Sequence, residues 1–157
     1  MTLTVRLPDS LESQPHLAQL NIGRLRYPKG DLRAAEFFDN LERVNAIAER
    51  MPGFVWRLKD EGGDATNFRL NGDPGIAVNL SVWETGAALR AYVFKTVHGS
   101  FLRRRQDWFE PMTGPHMVLW PVAPGHIPDL QEAAARLAGL AANGPSGRAF
   151  GWAALKD

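Results

Sequence analysis

Between Gly86 and Glu110 the apolar residues Val93, Phe94, Val97, Phe101, Leu102, Trp108 and Phe109 recur with the period of one helical face, and His98 and Arg105 interrupt that face. These two polar residues are seven positions apart, which on a continuous helix places them about 20° apart in projection and about 10 Å apart along the axis. An imidazole and a guanidinium on one apolar face can hold a small molecule. The first would serve as base, hydrogen-bond donor or metal ligand, and the second would hold an anionic substituent. The plain alternative is a core histidine with one satisfied ring nitrogen and an arginine that snorkels from the helix end. The preceding helix repeats the pattern, with Asn45 inside the arc of Phe37, Phe38, Leu41, Val44 and Ala48. A buried amide must find partners, either a backbone group or a ligand. On the strands, Gln19 and Asn21 share one face, as do Asn79, Ser81 and Trp83. If those strands are neighbours the two sets form one polar, aromatic-edged patch; otherwise they are a solvated sheet face. The triplet Arg103-Arg104-Arg105 reads as a solvated helix end near its favourable dipole.

Other chemistries lack their residues. Cysteine is absent from all 157 positions, which removes disulfides, thiolate metal sites and a cysteine nucleophile. The four histidines, His16, His98, His116 and His126, show no paired metal-ligand spacing, so no protein-only metal site is expected. Neither a phosphate-cradling glycine loop nor a nucleophile elbow occurs. A net charge of +1 argues against nucleic acid or an anionic membrane as main partner. No apolar run approaches membrane-spanning length and the N-terminus lacks the pattern of a signal peptide, so a cytoplasmic location is expected.

The elements that must position these residues follow from periodicity and punctuation. Residues 1–15, broken by Pro8 and Pro15, read as an arm, and 16–157 as a single domain. Residues 17–26 alternate as a strand, Asp31 caps a helix to about Met51, and Phe54 to Leu58 is a strand. Ile76 to Glu84 is the next strand, followed by the long helix to Glu110 and a strand through residues 116–122. Pro128 opens a third helix, Asp129 to Ala142, and the closing residues 149–155 suit a short last strand. The order is the split β-α-β-β-α-β of an α+β, ferredoxin-like subunit with an added C-terminal helix. Helices on one face only would leave the other sheet face for a second copy of the chain, so a homodimer is expected.

The segments LAQLNIGRLRYP, FFDNLERVNAIAERMPGFVWRL, VNLSVWET, FLRRRQDWFEPM and LWPVAPGHIP resemble the bacterial family called domain of unknown function 3291. That family is similar to the dimeric α+β barrel superfamily, which includes antibiotic-biosynthesis and haem-degrading monooxygenases and stress-response barrels. The resemblance implies a face-to-face sheet dimer. In the haem-degrading members a first-strand asparagine matches Asn21 and a helix histidine that ligates iron matches His98; their helix tryptophan falls near Tyr92, a departure. On a regular helix Tyr92 projects about 120° away from His98.

With that resemblance, the leading reading is a monooxygenase-type oxidoreductase acting on a small aromatic or polyketide-like molecule in an apolar pocket between helices and sheet. His98 and Asn21 would be the catalytic pair, and Arg105, Asn45, Asn79, Tyr92, Trp56 and Trp83 would bind the substrate or line the walls. The cofactor is either none or haem, with His98 as axial ligand in the second case. The alternative is a non-catalytic, small-molecule or haem-binding, stress-associated dimer.

Overall fold

The structure, a computed structural model, describes residues 14–59, 70, 72–73, 75–95 and 103–155. At its centre lies β1 (His16–Leu25), the strand expected from alternation. Asp31 caps a 3-10 turn, Leu32–Ala34, by accepting from the Arg33 N–H at 2.8 Å, and α1 (Ala35–Arg50) follows. Gly53 turns the chain at φ +84, where any Cβ would lie 2.6 Å from that of Ala88, and leads into β2 (Phe54–Arg57). Next come β3 (Ile76–Trp83), α2 (Gly86–Lys95), α3 (Arg105–Trp108, one turn), β4 (Phe109–Glu110) and β5 (Met117–Val122). Then α4 (Leu130–Asn143) begins at Asp129, whose side chain accepts from the Glu132 N–H at 2.7 Å.

All strand pairs are antiparallel, in the order β2-β3-β1, with β4 and β5 sharing the remaining edge of β1. This is the ferredoxin-like order. No described helix is long and apolar enough to cross a membrane.

Two expectations need correction. The segment Gly86–Glu110 is not one helix, because Phe109 and Glu110 are extended and pair with Leu25 and Arg24. Helical periodicity carries no knowledge of the unpaired edge of β1, which these two residues complete. The projected arc shifts accordingly. Leu89, Tyr92 and Val93 are buried on α2, whereas Phe94 is 51% exposed and meets the ring of Trp152 at 5.3 Å.

The second correction concerns the sheet faces, both of which carry helices of the same chain. Under α1 and α2 lie Leu17, Trp83 and Leu119, packed with Val44, Ala48, Leu89 and Val93. On the other face Ala18, Leu20, Leu80, Val82, Val118 and Trp120 meet Ala133, Leu130, Leu137 and Leu140 of α4. Leu20 and Leu80 are 0% and 1% exposed without a second copy. The added helix is thus the first cover of that face, packed on β5 and β1. Beyond it the chain rounds the edge of β5, where Phe150 exchanges two backbone hydrogen bonds with Leu119 (2.7 and 2.9 Å). A 3-10 turn, Trp152–Ala154, then docks near α2, and Arg90 donates to the Trp152 and Leu155 carbonyls.

Candidate functional site

Register assembles the polar patch. Asn21 lies opposite Asn79, Gln19 opposite Ser81 and Leu17 opposite Trp83, so the two polar sets share one face. That face is not solvated: it lies under α1 and α2, and Gln19 and Ser81 are buried. Gln19 Nε2 donates to Ser81 Oγ at 2.8 Å and to Asn79 Oδ1, and Trp83 Nε1 donates to Ser81 Oγ at 2.9 Å. The Trp83 ring stacks on Tyr92 at 5.2 Å and meets the edge of Phe54 at 5.5 Å. Tyr92 OH donates to the Val44 carbonyl at 3.2 Å. Burial raises the phenol pKa well above its ordinary value, against the opposing charge of Arg57. Asn79, Trp83 and Tyr92 are therefore brought together in one layer.

Trp56 is not with them. An irregularity between Phe54 and Trp56 shifts the β2–β3 register, placing Trp56 opposite Val82, and its side chain packs in the α4-side core. A one-residue slip exchanges the two faces of a strand. Arg57, opposite Ser81, takes the place on the helix side. Its side chain is only 11% exposed and donates from Nε to Glu49 Oε1 at 2.9 Å. Desolvation of Glu49 raises its pKa, but the hydrogen bond and charge of Arg57 outweigh this and leave it lowered. Nothing in the local sequence marks that slip, so Arg57 escapes sequence reasoning.

Two amides in the same layer are left over. Asn45 is 5% exposed yet has no side-chain hydrogen bond among the described residues, and the buried Asn21 Oδ1 likewise has no partner. Their levels agree. Phe37 on α1 meets the Phe109 ring (5.2 Å), which covers Gly23 so closely that a Cβ there would lie 2.4 Å from it. Asn45 lies eight residues further along, about 12 Å of helix or between three and four residues of strand. That brings Asn45 level with Gln19 and Leu20 of the strand, next to Asn21.

The end of the site at Gly23 is aromatic and cationic. Phe37 meets Trp108 at 5.6 Å, and the Arg105 guanidinium lies 5.0 Å from the centre of the Phe109 ring while donating to the Ile22 carbonyl at 2.8 Å. The arginine triplet divides by role: Arg104 pairs with Glu36 and Asp107, whereas Arg105 is half-buried. His98 lies outside the described residues. Of the other histidines, His16 alternates onto the α4 side, His116 pairs through its backbone carbonyl with Ile22 and feels the charge of Arg105, and His126 Nε2 lies 2.7 Å from Glu132 Oε1. The described residues lend haem no support: Tyr92, at the tryptophan position of the resemblance, stacks on Trp83. No group of three or more His, Asp or Glu that could hold a metal ion occurs among them.

Several solved structures are similar to this chain. A protein of unknown function from Nitrosomonas europaea, NE2512, shares 13% identity over 74% of this chain and 98% of its own, with a TM-score of 0.49. SnoaB, a cofactor-independent oxygenase from Streptomyces nogalater, shares 18% identity over 73% of this chain and 99% of its own, with a TM-score of 0.46. The monooxygenase from the gene ActVA-Orf6 of Streptomyces coelicolor, solved with nanaomycin D, shares 17% over 74% of this chain and 95% of its own, with a TM-score of 0.44. No curated protein matches the chain. Residues 16–157 match the family described as "Domain of unknown function (DUF3291)", and the chain belongs to that family.

Proposed function

We propose that the chain binds a small hydroxylated aromatic or polyketide-like molecule between α1, α2 and the sheet, and acts on it as a monooxygenase-type oxidoreductase. One observation carries the binding. Gln19, Asn79, Ser81 and Trp83 are joined by hydrogen bonds, while the buried Asn21 Oδ1 in the same layer has no partner and Asn45, on the helix above, makes no side-chain hydrogen bond among the described residues. A buried amide without a partner costs about 1–3 kcal/mol, a cost that a ligand hydroxyl or carbonyl removes. The oxidation half of the reading rests on the resemblance of the family segments to barrel monooxygenases.

In the cofactor-free form, loss of the substrate hydroxyl proton to a base makes the ring electron-rich enough to react with dioxygen. One oxygen atom oxidises a ring CH2 to a carbonyl, and the other leaves as water with its two hydrogens. Asn21 and Asn45 hold the substrate oxygens, Trp83 and Tyr92 supply the wall, and His98 is the proposed base.

Oxygen uptake with a hydroxylated tricyclic ketone as probe tests this reading. Stoichiometric uptake that His98→Ala abolishes, without loss of binding, supports it. Binding without uptake in either protein leaves the non-catalytic alternative. We also propose a homodimer. On the α4 side, Val55, Trp56, Leu58 and Val78 remain only partly buried, and a second copy would complete their cover.

A further inference from the structure

The outer edge of β1 is divided between two partners. β5 pairs with His16 to Asn21 and β4 with Arg24 and Leu25, leaving a break at Ile22 and Gly23. There the Ile22 N–H donates to the His116 carbonyl at 2.8 Å, but the Ile22 carbonyl accepts from Arg105 Nη2. A side chain has entered the edge of the sheet where a strand would otherwise run.

That guanidinium is uncompensated. Arg24, Arg33, Arg57 and Arg104 each pair with a carboxylate, whereas Arg105, half-buried, pairs with none among the described residues. Its remaining N–H groups have no protein acceptor among them either. Burial lowers its pKa with nothing to offset the effect. A desolvated cation without a counter-charge is costly, and an anion removes that cost. Asn21, whose amide is unpartnered, precedes Ile22 and lies on the face that Phe109 covers at Gly23. His116 adds no second charge, because burial and the charge of Arg105 hold its imidazole below the usual range. One guanidinium beside a neutral imidazole suits a monoanion better than a phosphate.

We propose that Arg105 and Asn21 form a seat for the carboxylate of a ring-bearing acid, the remainder of which extends along the layer toward Asn45. This rests on the ligand site proposed above and narrows its substrate to acids. Planar guanidinium and planar carboxylate form paired hydrogen bonds, and the Phe109 ring against the guanidinium shields one side of the pair.

Calorimetric titration with salicylate and its neutral carboxamide, salicylamide, tests the seat. The wild-type protein is expected to prefer the acid by about tenfold or more, the scale of one charge-assisted hydrogen bond. Arg105→Gln should abolish the preference, Arg105→Lys should retain part of it, and Arg104→Gln, next to Arg105 in sequence but paired with Glu36 and Asp107, should leave it intact. A preference that survives Arg105→Gln in a folded protein overturns the seat. If the wild type binds both probes equally and Asn45→Leu weakens both, the ligand site stands and the seat falls. Binding of neither probe at millimolar concentration overturns both.

Discussion

Replacing Asn45 by leucine separates a residue kept for a ligand from one kept for the fold. The side chain is 5% exposed, has no hydrogen-bond partner among the described residues, and faces the layer that holds Gln19 and Ser81. An amide that is unpaired but not wholly sealed from water costs at the low end of about 1–3 kcal/mol, and leucine is of similar size and apolar. Its higher helix propensity adds a few tenths of a kcal/mol in the interior of α1. Asn45→Leu is therefore expected to stabilise the protein by about 1–2 kcal/mol, which for a domain of this size raises Tm by roughly 3–6 °C. Asn40→Ala on the same helix serves as control, because its amide already donates to the Glu36 carbonyl at 2.8 Å. The assay is thermal and urea unfolding followed by circular dichroism, with binding of the hydroxylated probe measured in parallel. Higher stability with weakened binding is the expected pair of results. A fall in Tm of several degrees would show that Asn45 is held by partners of its own, and the ligand reading of this amide would fail.

Ser81→Ala should do the opposite, because Ser81 Oγ accepts from both Gln19 and Trp83; stranding the buried Trp83 N–H should cost about 2–3 kcal/mol in urea unfolding. Since the folded-state pKa of Glu49 is lowered, its contribution to stability is present above its unfolded pKa and is lost as pH falls through the folded value. Unfolding titrations of Glu49→Gln against wild type should therefore differ at neutral pH and converge in acid. Arg105→Gln removes one of the two causes that lower the His116 pKa, so an NMR titration should show it rising toward the ordinary histidine value; no change would mean that burial alone sets it. Sedimentation should give a dimer at micromolar concentration, and a charged residue at Val78 should yield a folded monomer; a wild-type monomer would refute the proposed pairing.

Much of the fold was legible because hydrophobic period and punctuation are local. Alternation marked β1, β3 and β5, Asp31 and Asp129 marked the starts of helical segments, and the order of elements implied the ferredoxin-like sheet. The same alternation sorted Gln19 and Asn21 onto one face, and Asn79, Ser81 and Trp83 onto another that proved continuous with it. What it could not assign was which face meets the helices, since a period of two divides a strand without giving either side a sign. That sign came from packing. The same packing decided between a joined patch and a solvated face in favour of a buried network, and placed α4 of the same chain over part of the face expected to meet a second copy.

The remaining differences lie where one residue's conformation depends on a distant edge. The irregularity in β2 exchanged Trp56 for Arg57 at the site, and the bare edge of β1 drew Phe109 and Glu110 out of a helical pattern and admitted Arg105 at Ile22. The sequence by itself determined which residues are polar within apolar periods, because side-chain chemistry and local periodicity are properties of neighbours in the chain. Only the tertiary structure decided which of those residues share a space. Register, strand edges and the cover of a sheet are set by the long-range requirement that every buried backbone group and apolar face find a partner.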